Sequence, residues 1–224
     1  MKKYLDILKK VALFKNIADN DLLSMLKCLN AKVEVYTKNQ TIFSEGEPAK
    51  FVGIVLSGAV QIVKDDYYGN RSVVASVEPS QLFAEAFSCA NVKALPVSVI
   101  ATENSIVMLI DCKHIITTCS NSCVFHNTLI NNLLDVVAHK NLVLNQKIEI
   151  MSKRTTREKL MSFLLAQAKK NGSNTFSIPY DRQTLADYLG VERSAMSAEI
   201  SKLRKEGIIQ SNKNNFTINE IEKL

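Results

Sequence analysis

The stretch from residue 182 to residue 209 constrains the fold more than any other part of this sequence. It contains two sets of apolar residues at helical spacing, separated by a glycine. They are Leu185, Ala186 and Leu189 before Gly190, and Met196, Ile200 and Leu203 after it. Glycine readily adopts the positive φ that a tight turn after a helix requires. The pattern therefore predicts two helices that each bury one face and are joined by a short turn.

The outer face of the second predicted helix carries an arginine among small and polar side chains. Its residues are Arg193, Ser194, Ser197, Ala198, Ser201 and Lys202. Such a face fits the major groove of DNA, because arginine can donate two hydrogen bonds to guanine and serine reaches phosphates or base edges. With Arg182, Gln183 and Thr184 at the start of the first helix, these residues are candidate DNA contacts. Two helices with a solvated outer face are the alternative that the same periodicity allows.

The residues that follow favour DNA binding. After Gly207-Ile208-Ile209 comes a polar turn over residues 211–215, and then the run Phe216-Thr217-Ile218. This order predicts a β-hairpin at the place where a winged helix-turn-helix carries its wing. Lys213, at the predicted tip of the hairpin, is a candidate phosphate contact.

Charge is unevenly distributed along the 224 residues. The net charge is +6, and residues 153–224 contribute +5 of it, with 13 Lys and Arg against 8 Asp and Glu. A basic segment that coincides with the predicted helices is the electrostatic footprint expected of a nucleic-acid-binding domain. The length of the chain allows two domains with cores of their own.

The amino terminus and the cysteines bear on where the protein acts. The first 14 residues contain too short an apolar run, and too many charges, for a signal peptide or a membrane span. The five cysteines lack CxxC spacing, which argues against a disulfide framework and for a reducing compartment. We therefore expect a cytoplasmic protein without a membrane partner.

Residues 32–111 alternate between short runs rich in β-branched residues and turn residues. Seven or eight such runs lie between Val33 and Ile110, separated by segments such as Glu45-Gly46-Glu47-Pro48 and Ser57-Gly58. This punctuation predicts short strands in a sandwich, roll or barrel. Residues 4–30 have the apolar spacing of one or two helices. The expected fold class is therefore α+β.

A helical pattern follows residue 113, with apolar residues alternately four and three apart. The seam consists of Ile130, Leu134, Val137, Asn141, Leu144, Ile148 and Met151. This is the spacing of a coiled coil, and Asn141 falls at a core position where asparagine fixes the register and favours two strands. We expect a parallel homodimer along this helix. The alternative is a long amphipathic helix that lies on its own domain.

The order of these parts resembles the CRP/FNR family of bacterial transcription regulators. Within it, Gly46-Glu47-Pro48 followed by residues 56–60, Leu-Ser-Gly-Ala-Val, resembles a cyclic-nucleotide-binding β-roll. The resemblance implies a jelly-roll-like double-stranded β-roll over residues 1–120, a dimerisation helix over 121–152 and a winged helix-turn-helix over 153–224. It also implies a homodimer on a palindromic DNA operator, a small effector bound between roll and helix, and possible contact with RNA polymerase.

The recognition helix departs from the family's most frequent motif, which has Arg and Glu followed by Gly or Ser and a second Arg. Arg193 and Ser197 match that motif, but Ser194 replaces the glutamate and Ala198 replaces the second arginine. The operator sequence of the best-known members therefore cannot be transferred to this chain. We expect Arg193 to read a guanine.

The effector pocket departs further from the relatives that bind cyclic AMP. Those relatives have Gly-Glu and a later Arg-Ser pair that hold the ribose and the cyclic phosphate. Here Glu85 is kept, but Leu95-Pro96 stands where Arg-Ser is expected. The expected pocket residues are Phe83, Glu85, Leu95, Val97, Leu142 and Val143. Because a buried phosphate without arginine is poorly compensated, we expect an apolar or aromatic effector, or none, and no required cofactor.

Two other modes of regulation stay open. The first is a response to a cyclic nucleotide after all. The second is a haem or thiol redox sensor, because Cys119, Cys123 and His126 are spaced for one helical face. The cysteines are too scattered for an Fe–S cluster, and no metal site is expected. The chain has no P-loop, GxSxG or HExxH motif, so an enzyme is not expected.

Overall fold

The computed structural model describes residues 1–68, 71–117 and 124–219. The chain divides into two compact units, Met1–His139 and Lys140–Leu224. The boundary between these units falls inside the long helix. The sequence-based division instead treats residues 121–152 as a segment of their own, and that division stays a prediction.

The first unit begins with short helical pieces and continues into a run of strands. Two 3-10 turns lie at Lys2–Tyr4 and Ala12–Phe14, with helices α1 (Leu5–Leu8) and α2 (Asp19–Cys28). The strands and the helices among them are β1 (Lys32–Tyr36), β2 (Thr41–Phe43), β3 (Phe51–Ser57), β4 (Val60–Asp65), β5 (Arg71–Val77), β6 (Leu82–Phe83), α3 (Glu85–Cys89), β7 (Ser98–Ala101), β8 (Ser105–Asp111) and α4 (Cys112–Ile116). The long helix α5 (Val124–Met151) follows.

The eight strands form two antiparallel sheets of four. Their orders are β1-β8-β3-β6 and β2-β7-β4-β5, so each sheet combines strands that are distant in sequence. Turn residues at positive φ, such as Gly46 and Gly58, separate consecutive strands. The mixed helix-and-sheet class and the roll-like arrangement confirm the fold predicted from the sequence. The small α3 and the two-residue β6 were not predicted, because neither contains enough residues to show a period.

Strand β3 of the first sheet is buried on both faces. Its residues Val52, Ile54 and Leu56 pack with the amino-terminal helices and with Leu129 and Leu133 of α5. The neighbouring Val55 instead belongs to a second cluster, which includes Phe43 and Phe83. Successive side chains of a strand point to opposite faces, so this uninterrupted apolar run supplies two cores at once.

The predicted seam of α5 is only partly covered. Val137 packs in part against the core of the first unit. Leu134, Leu144 and Ile148 are 62%, 58% and 65% exposed, which is unusual for large apolar side chains that recur along one helix. The Asn141 side chain accepts a hydrogen bond from the Asn145 amide at 2.9 Å. The exposed positions leave the dimer prediction open.

The second unit has helices around a small sheet. Its elements are α6 (Thr156–Asn171), β9 (Thr175–Ser177), α7 (Arg182–Leu189), α8 (Arg193–Lys205), β10 (Ile209–Asn212) and β11 (Asn215–Ile218). A capping box formed by Thr155 and Glu158 begins α6, and Gly172 ends it at positive φ. The strands pair antiparallel in the order β10-β11-β9. This matches the helices and hairpin predicted from the sequence.

Candidate nucleic-acid interface and ligand cavity

Helix α7 is held at both ends by local hydrogen bonds. At its start, the Asp181 carboxylate accepts a hydrogen bond from the backbone N–H of Thr184 at 2.7 Å. This bond is the largest cause of a lowered pKa of Asp181. At its end, Gly190 has a φ of 60°, and the N–H of Val191 donates to the carbonyl of Ala186. These bonds fix the turn after which α8 begins, as the sequence pattern predicted.

Helix α8 separates its apolar and polar faces cleanly. Met196, Ile200 and Leu203 are buried in the core of the second unit, together with Leu185 and Leu189 of α7. The opposite face is exposed at Arg193, Ser194, Ala198, Ser201 and Lys202, with Ser197 partly exposed. All six predicted contacts on this helix therefore lie at or near its surface.

The structure brings four of the predicted contacts together in a groove of about 520 Å³ between α8 and the hairpin of β10 and β11. The residues that line this groove are Arg182, Ser197, Ile200, Ser201, Arg204, Ser211, Asn212 and Lys213. Of the other predicted contacts, Gln183 bonds Asp187 at 2.9 Å, and Lys202 lies 3.5 Å from Glu199 in an exposed ion pair. Thr184, Arg193, Ser194 and Ala198 are exposed without lining the groove.

Arg182 occupies an unusual position in this groove. Its guanidinium lies over the ring of Phe216, 4.9 Å from the centroid. Among the described residues, its Nη1 atom has no hydrogen-bond partner although it is buried. Burial, and then the charge of Arg204, lowers the pKa of Arg182. A cation held in this way, close to another cation, would be stabilised by an anion such as a phosphate.

Arg204 was missed in the sequence-based prediction. It lies in the last turn of α8, where its neighbours in the groove are Ser197 and Ser201. Positions 197, 201 and 204 are spaced four and three apart, so the helical period that identified the serines also places Arg204 on their face. The predicted set on this helix ended at Lys202, two residues before Arg204.

The far end of α8 is fastened to α6 by an ion pair. The Arg157 Nη1 atom donates to the Glu206 carboxylate at 3.0 Å and lies 3.4 Å from Glu199. The bond from Arg157 is the largest cause of a lowered pKa of Glu206. The two acidic residues near the basic end of α8 are thus drawn toward α6. This arrangement leaves the groove itself with cations.

The hairpin turn is tighter than predicted. Strand pairing continues through Asn212 and Asn215, so only Lys213 and Asn214 form the turn, instead of the five residues 211–215. The reason is that Ser211 pairs with Phe216 across the ladder, and polar side chains are compatible with the exposed face of a strand. Lys213 is nevertheless at the tip, with a φ of 48°.

A cavity of about 500 Å³ lies in the first unit. Its lining combines aromatic and apolar side chains with two acids and one lysine. The lining residues are Glu34, Tyr36, Ile42, Phe43, Glu47, Pro48, Ala49, Lys50, Phe51, Ala84, Leu95 and Leu109. Cavities of this size and composition accommodate small ligands.

The predicted pocket residues have different positions. Leu95, one of the predicted pocket residues, borders the cavity. The Phe83 ring packs against the ring of Phe43, which lines the cavity, with the ring centroids 5.7 Å apart. Glu85, at the start of α3, and Val97, just before β7, are both buried. Leu142 and Val143 belong to the second unit, where they are exposed on α5.

The sequence-based prediction missed the polar pair on β1. The Tyr36 hydroxyl donates to the Glu34 carboxylate at 2.6 Å beside the cavity. Burial, and then this bond, raises the pKa of Tyr36. The sequence pattern of β1 rested on its apolar residues Val33 and Val35. In the structure, Val35 is 71% exposed and Tyr36 is buried. The alternation of the two valines did not indicate that Tyr36 is the buried residue of this strand.

Comparison with known proteins decides the family. Residues 33–122 match the model of the cyclic nucleotide-binding domain, and residues 158–224 match the Crp-like helix-turn-helix domain. Together the two matches cover more than two thirds of the chain, in the order that the fold displays. The chain belongs to the CRP/FNR family of transcription regulators.

Individual relatives of this CRP/FNR-family protein are distant. It is 24% identical over 183 residues to the transcriptional activator protein FnrL of Cereibacter sphaeroides, which covers 78% of this chain and 71% of that protein. The structure of the c-di-GMP responsive global regulator CLP of Xanthomonas campestris has a TM-score of 0.55 at 15% identity, over 90% of this chain and 100% of that chain. DNR from Pseudomonas aeruginosa has a TM-score of 0.51 at 19% identity, over 100% and 96%. These two structures share the fold.

His126 is the described member of the candidate metal or thiol sensor of this CRP/FNR-family protein. Its Nε2 atom lies 2.9 Å from the carbonyl oxygen of Ile115, and the side chain is buried. Cys119 and Cys123 lie outside the described residues. Within those residues, no group of three or more potential metal ligands is present. None of the described helices is long and apolar enough to cross a membrane.

Proposed function

We propose that this CRP/FNR-family regulator binds a two-fold symmetric DNA operator as a homodimer, with one α8 in each half-site. The groove between α8 and the hairpin carries this proposal. Among its described lining residues, Arg182, Arg204 and Lys213 are cationic and none is acidic. Cations at this density meet phosphates, while Arg193 on the exposed face of α8 is available to read a base.

The dimer is supported by the exposed seam on α5. Leu134, Leu144 and Ile148 belong to a seam whose positions alternate four and three residues apart, and each of the three is more than half exposed in a single chain. Burying such a row against its symmetry mate removes apolar surface from water. Asn141 lies between Leu134 and Leu144. Its described hydrogen-bond partner, Asn145, belongs to the same helix, so Asn141 is available to pair with Asn141 of the second chain.

The cavity of the first unit favours an apolar or aromatic effector over cyclic AMP. Tyr36, Phe43 and Phe51 provide aromatic surface, and Leu95 is buried at the position where relatives are expected to have an arginine. The lining includes Glu34 and Glu47 but only one cation, Lys50. A bound phosphate would therefore meet more negative than positive charge. We propose that the effector is neutral or weakly basic, and that no cofactor is required.

Lys50 favours a second class of effector, the cyclic nucleotides. A lysine beside the cavity can attract an anion, so a cyclic nucleotide remains the alternative. The distinction is whether the phosphate of the nucleotide meets enough positive charge. Arg182 and Lys213 belong to the second unit and are not among the residues that line this cavity.

Operator selection tests the whole proposal. Purified protein is mixed with a random duplex pool, and the retained DNA is sequenced with and without cyclic AMP. We expect a two-fold symmetric site with half-sites about one helical turn apart, unchanged by the nucleotide. A site that appears only with cyclic AMP would contradict the proposed effector class. Retention of DNA without sequence preference and without sensitivity to salt would contradict DNA reading by α8.

A further inference from the structure

Two cysteines lie side by side at a place to which the proposed function assigns no role. The Sγ atoms of Cys89 and Cys112 are 3.6 Å apart, within reach of a hydrogen bond between the thiols. They are 23 residues apart in sequence, so only the fold brings them together. Cys112 is buried, whereas Cys89 is partly exposed. Cys89 is therefore the more exposed residue of the pair.

The fold holds both cysteines firmly. Cys89 is the last residue of α3, and the hydroxyl of the preceding Ser88 donates to the carbonyl of Phe51 at 2.8 Å. Cys112 is the first residue of α4, and its backbone N–H donates to the carbonyl of Lys50 at 3.0 Å. Both bonds lead to the same short segment before and at the start of β3. The two sulfurs are thus positioned by backbone contacts around a common strand, not by flexible side chains alone.

The hydrogen bond makes the two thiols unequal. It lowers the pKa of Cys89, against the opposing effects of burial and of the charge of Glu85, and it raises the pKa of Cys112. Cys89 is therefore the better nucleophile of the pair, and Cys112 keeps its proton and donates the hydrogen bond. A thiolate, not a thiol, reacts with oxidants, so the more exposed cysteine is also the more reactive one.

Small oxidants have access to the pair. A cavity of about 380 Å³ is lined by Cys112, Ser88, Asp111 and three lysines, among others, and Cys89, which does not line this cavity, is partly exposed. Hydrogen peroxide is not much larger than water, and this cavity is wide enough for it. Lys50, Lys93 and Lys113 line this cavity together with Asp111, whose charge contributes to the raised pKa of Cys112.

We propose that Cys89 and Cys112 form a peroxide-responsive pair that closes reversibly into a disulfide. The Cys89 thiolate attacks one oxygen of hydrogen peroxide, the O–O bond breaks, and the hydroxide that leaves takes a proton to become water. Cys89 is then a sulfenic acid. The Cys112 sulfur attacks the Cys89 sulfur, the S–O bond breaks, and the hydroxyl leaves with the Cys112 proton as a second water. Two thiols lose two electrons, and one peroxide gains them.

The geometry requires only a small movement for this reaction. A disulfide bond is about 2.05 Å long, so the sulfurs must approach by about 1.5 Å from their present separation. Rotation of the two side chains about their Cα–Cβ bonds is the obvious way to achieve this approach. A metal site is the weaker reading, because no third ligand joins the pair within the described residues.

The disulfide would act on the ligand cavity of the first unit. Helix α3 has Cys89 at its end, and Ala84, which precedes its first residue, lines that cavity with a φ of 61°. A covalent bond from α3 to α4 would fix the helix whose other end borders the ligand. Formation of the bond itself does not depend on the proposed operator or effector.

Peptide mapping tests the proposal directly. Cleavage after Arg71, Lys93 and Lys113 places Cys89 in peptide 72–93 and Cys112 in peptide 94–113, while Cys119 and Cys123 share peptide 114–140. Reduced full-length protein is treated with equimolar hydrogen peroxide, alkylated, digested with trypsin and analysed by mass spectrometry. We expect peptides 72–93 and 94–113 to be joined, two fewer alkylated cysteines per chain, and full reversal by dithiothreitol.

Matched variants identify the cause. Cys28 is exposed and not part of the pair, so Cys28→Ser should leave the yield of the joined peptides unchanged. Cys89→Ser should abolish it, and Cys112→Ala should leave Cys89 as a sulfenic or sulfinic acid. Mapping of the wild-type protein decides the question even if a variant fails to fold. Joining of peptide 72–93 to 114–140, irreversible oxidation of Cys89 without cross-linking, or no reaction with peroxide would each overturn the proposal.

Discussion

The guanidinium of Arg182 stacks on the ring of Phe216, 4.9 Å from its centroid, and so joins the start of α7 to a strand of the hairpin. Phe216 is itself buried, and it stacks on Phe176 of β9 with the ring centroids 6.4 Å apart. The cation is therefore oriented by a ring that cannot move freely. A contact that is ordered before binding costs less side-chain entropy when the partner arrives.

Arg182→Gln should weaken binding to DNA of any sequence, because it removes a phosphate contact and not a base contact. We expect the slope of log affinity against log salt concentration to decrease in magnitude by about 1. Titrations of fluorescent duplex at several salt concentrations measure this slope. Lys170→Gln, which removes an exposed charge at the end of α6, is the matched control and should leave the slope unchanged. An unaltered slope in Arg182→Gln would show that this arginine does not meet a phosphate.

Arg193→Ala should affect selectivity more than bulk affinity. Arginine that donates two hydrogen bonds to guanine contributes roughly 1–3 kcal/mol of discrimination against other bases. We expect a selected operator to lose its preference at one position in each half-site, while binding to unrelated DNA changes little. Competition between operator and single-base variants measures the effect. Equal selectivity in wild type and variant would remove Arg193 from the set of base-reading residues.

Leu144→Glu should separate the proposed dimer. A carboxylate placed in the seam of α5 would face its own symmetry mate in an apolar environment, which is strongly unfavourable. Gln146→Glu adds the same charge to the same helix two residues away, at an exposed position off the seam, and serves as the control. Sedimentation equilibrium at concentrations where the wild type is dimeric should show monomers of the first variant only. Dimers of both variants would place the interface elsewhere.

The parts of this fold that were predictable are those determined by residues close in sequence. Gly190 between two apolar helical faces specified the turn between α7 and α8, and the apolar run Phe216-Thr217-Ile218 after a polar turn specified the hairpin. Each of these signals needs only a few neighbouring residues. The order of such segments was then enough to indicate the family, which the comparisons confirm.

What escaped prediction depends on residues that are distant in sequence. Arg182 and Phe216 are separated by the whole of α7 and α8, and Cys89 and Cys112 by strands β7 and β8, which belong to different sheets. No local period reports such a pairing. On β1, the buried residue is Tyr36 and not Val35, because the register with β8 and not the hydrophobicity of one residue sets which face is inside.

Asp181 should make stability depend on pH in acid. Its pKa is lowered in the folded protein, chiefly by the hydrogen bond from the Thr184 N–H. Its contribution to stability is therefore complete above its ordinary pKa and is lost as the pH falls through the lowered pKa. Asp181→Asn keeps an oxygen that can cap α7 but does not titrate. The difference in unfolding free energy between wild type and variant, from urea titrations, should shrink on acidification; a difference independent of pH would contradict this role.

Gly53→Ala should destabilise the first unit because of one specific ring. A Cβ atom at Gly53 would overlap with Cζ and both Cε atoms of Phe83, its partner across the ladder of β3 and β6. Overpacking of this kind costs about 1–3 kcal/mol of unfolding free energy. Phe83→Leu alone should also destabilise, because it leaves a cavity in the core.

The double variant distinguishes this clash from a general loss of backbone freedom. Leucine lacks the outer ring atoms that an alanine Cβ would meet, so Gly53→Ala should cost less in the Phe83→Leu background than in the wild type. Chemical denaturation of the four proteins gives the coupling free energy between the two positions, which we expect to be favourable and above about 0.5 kcal/mol. Additive effects would mean that β3 excludes a side chain at position 53 for a reason other than the Phe83 ring.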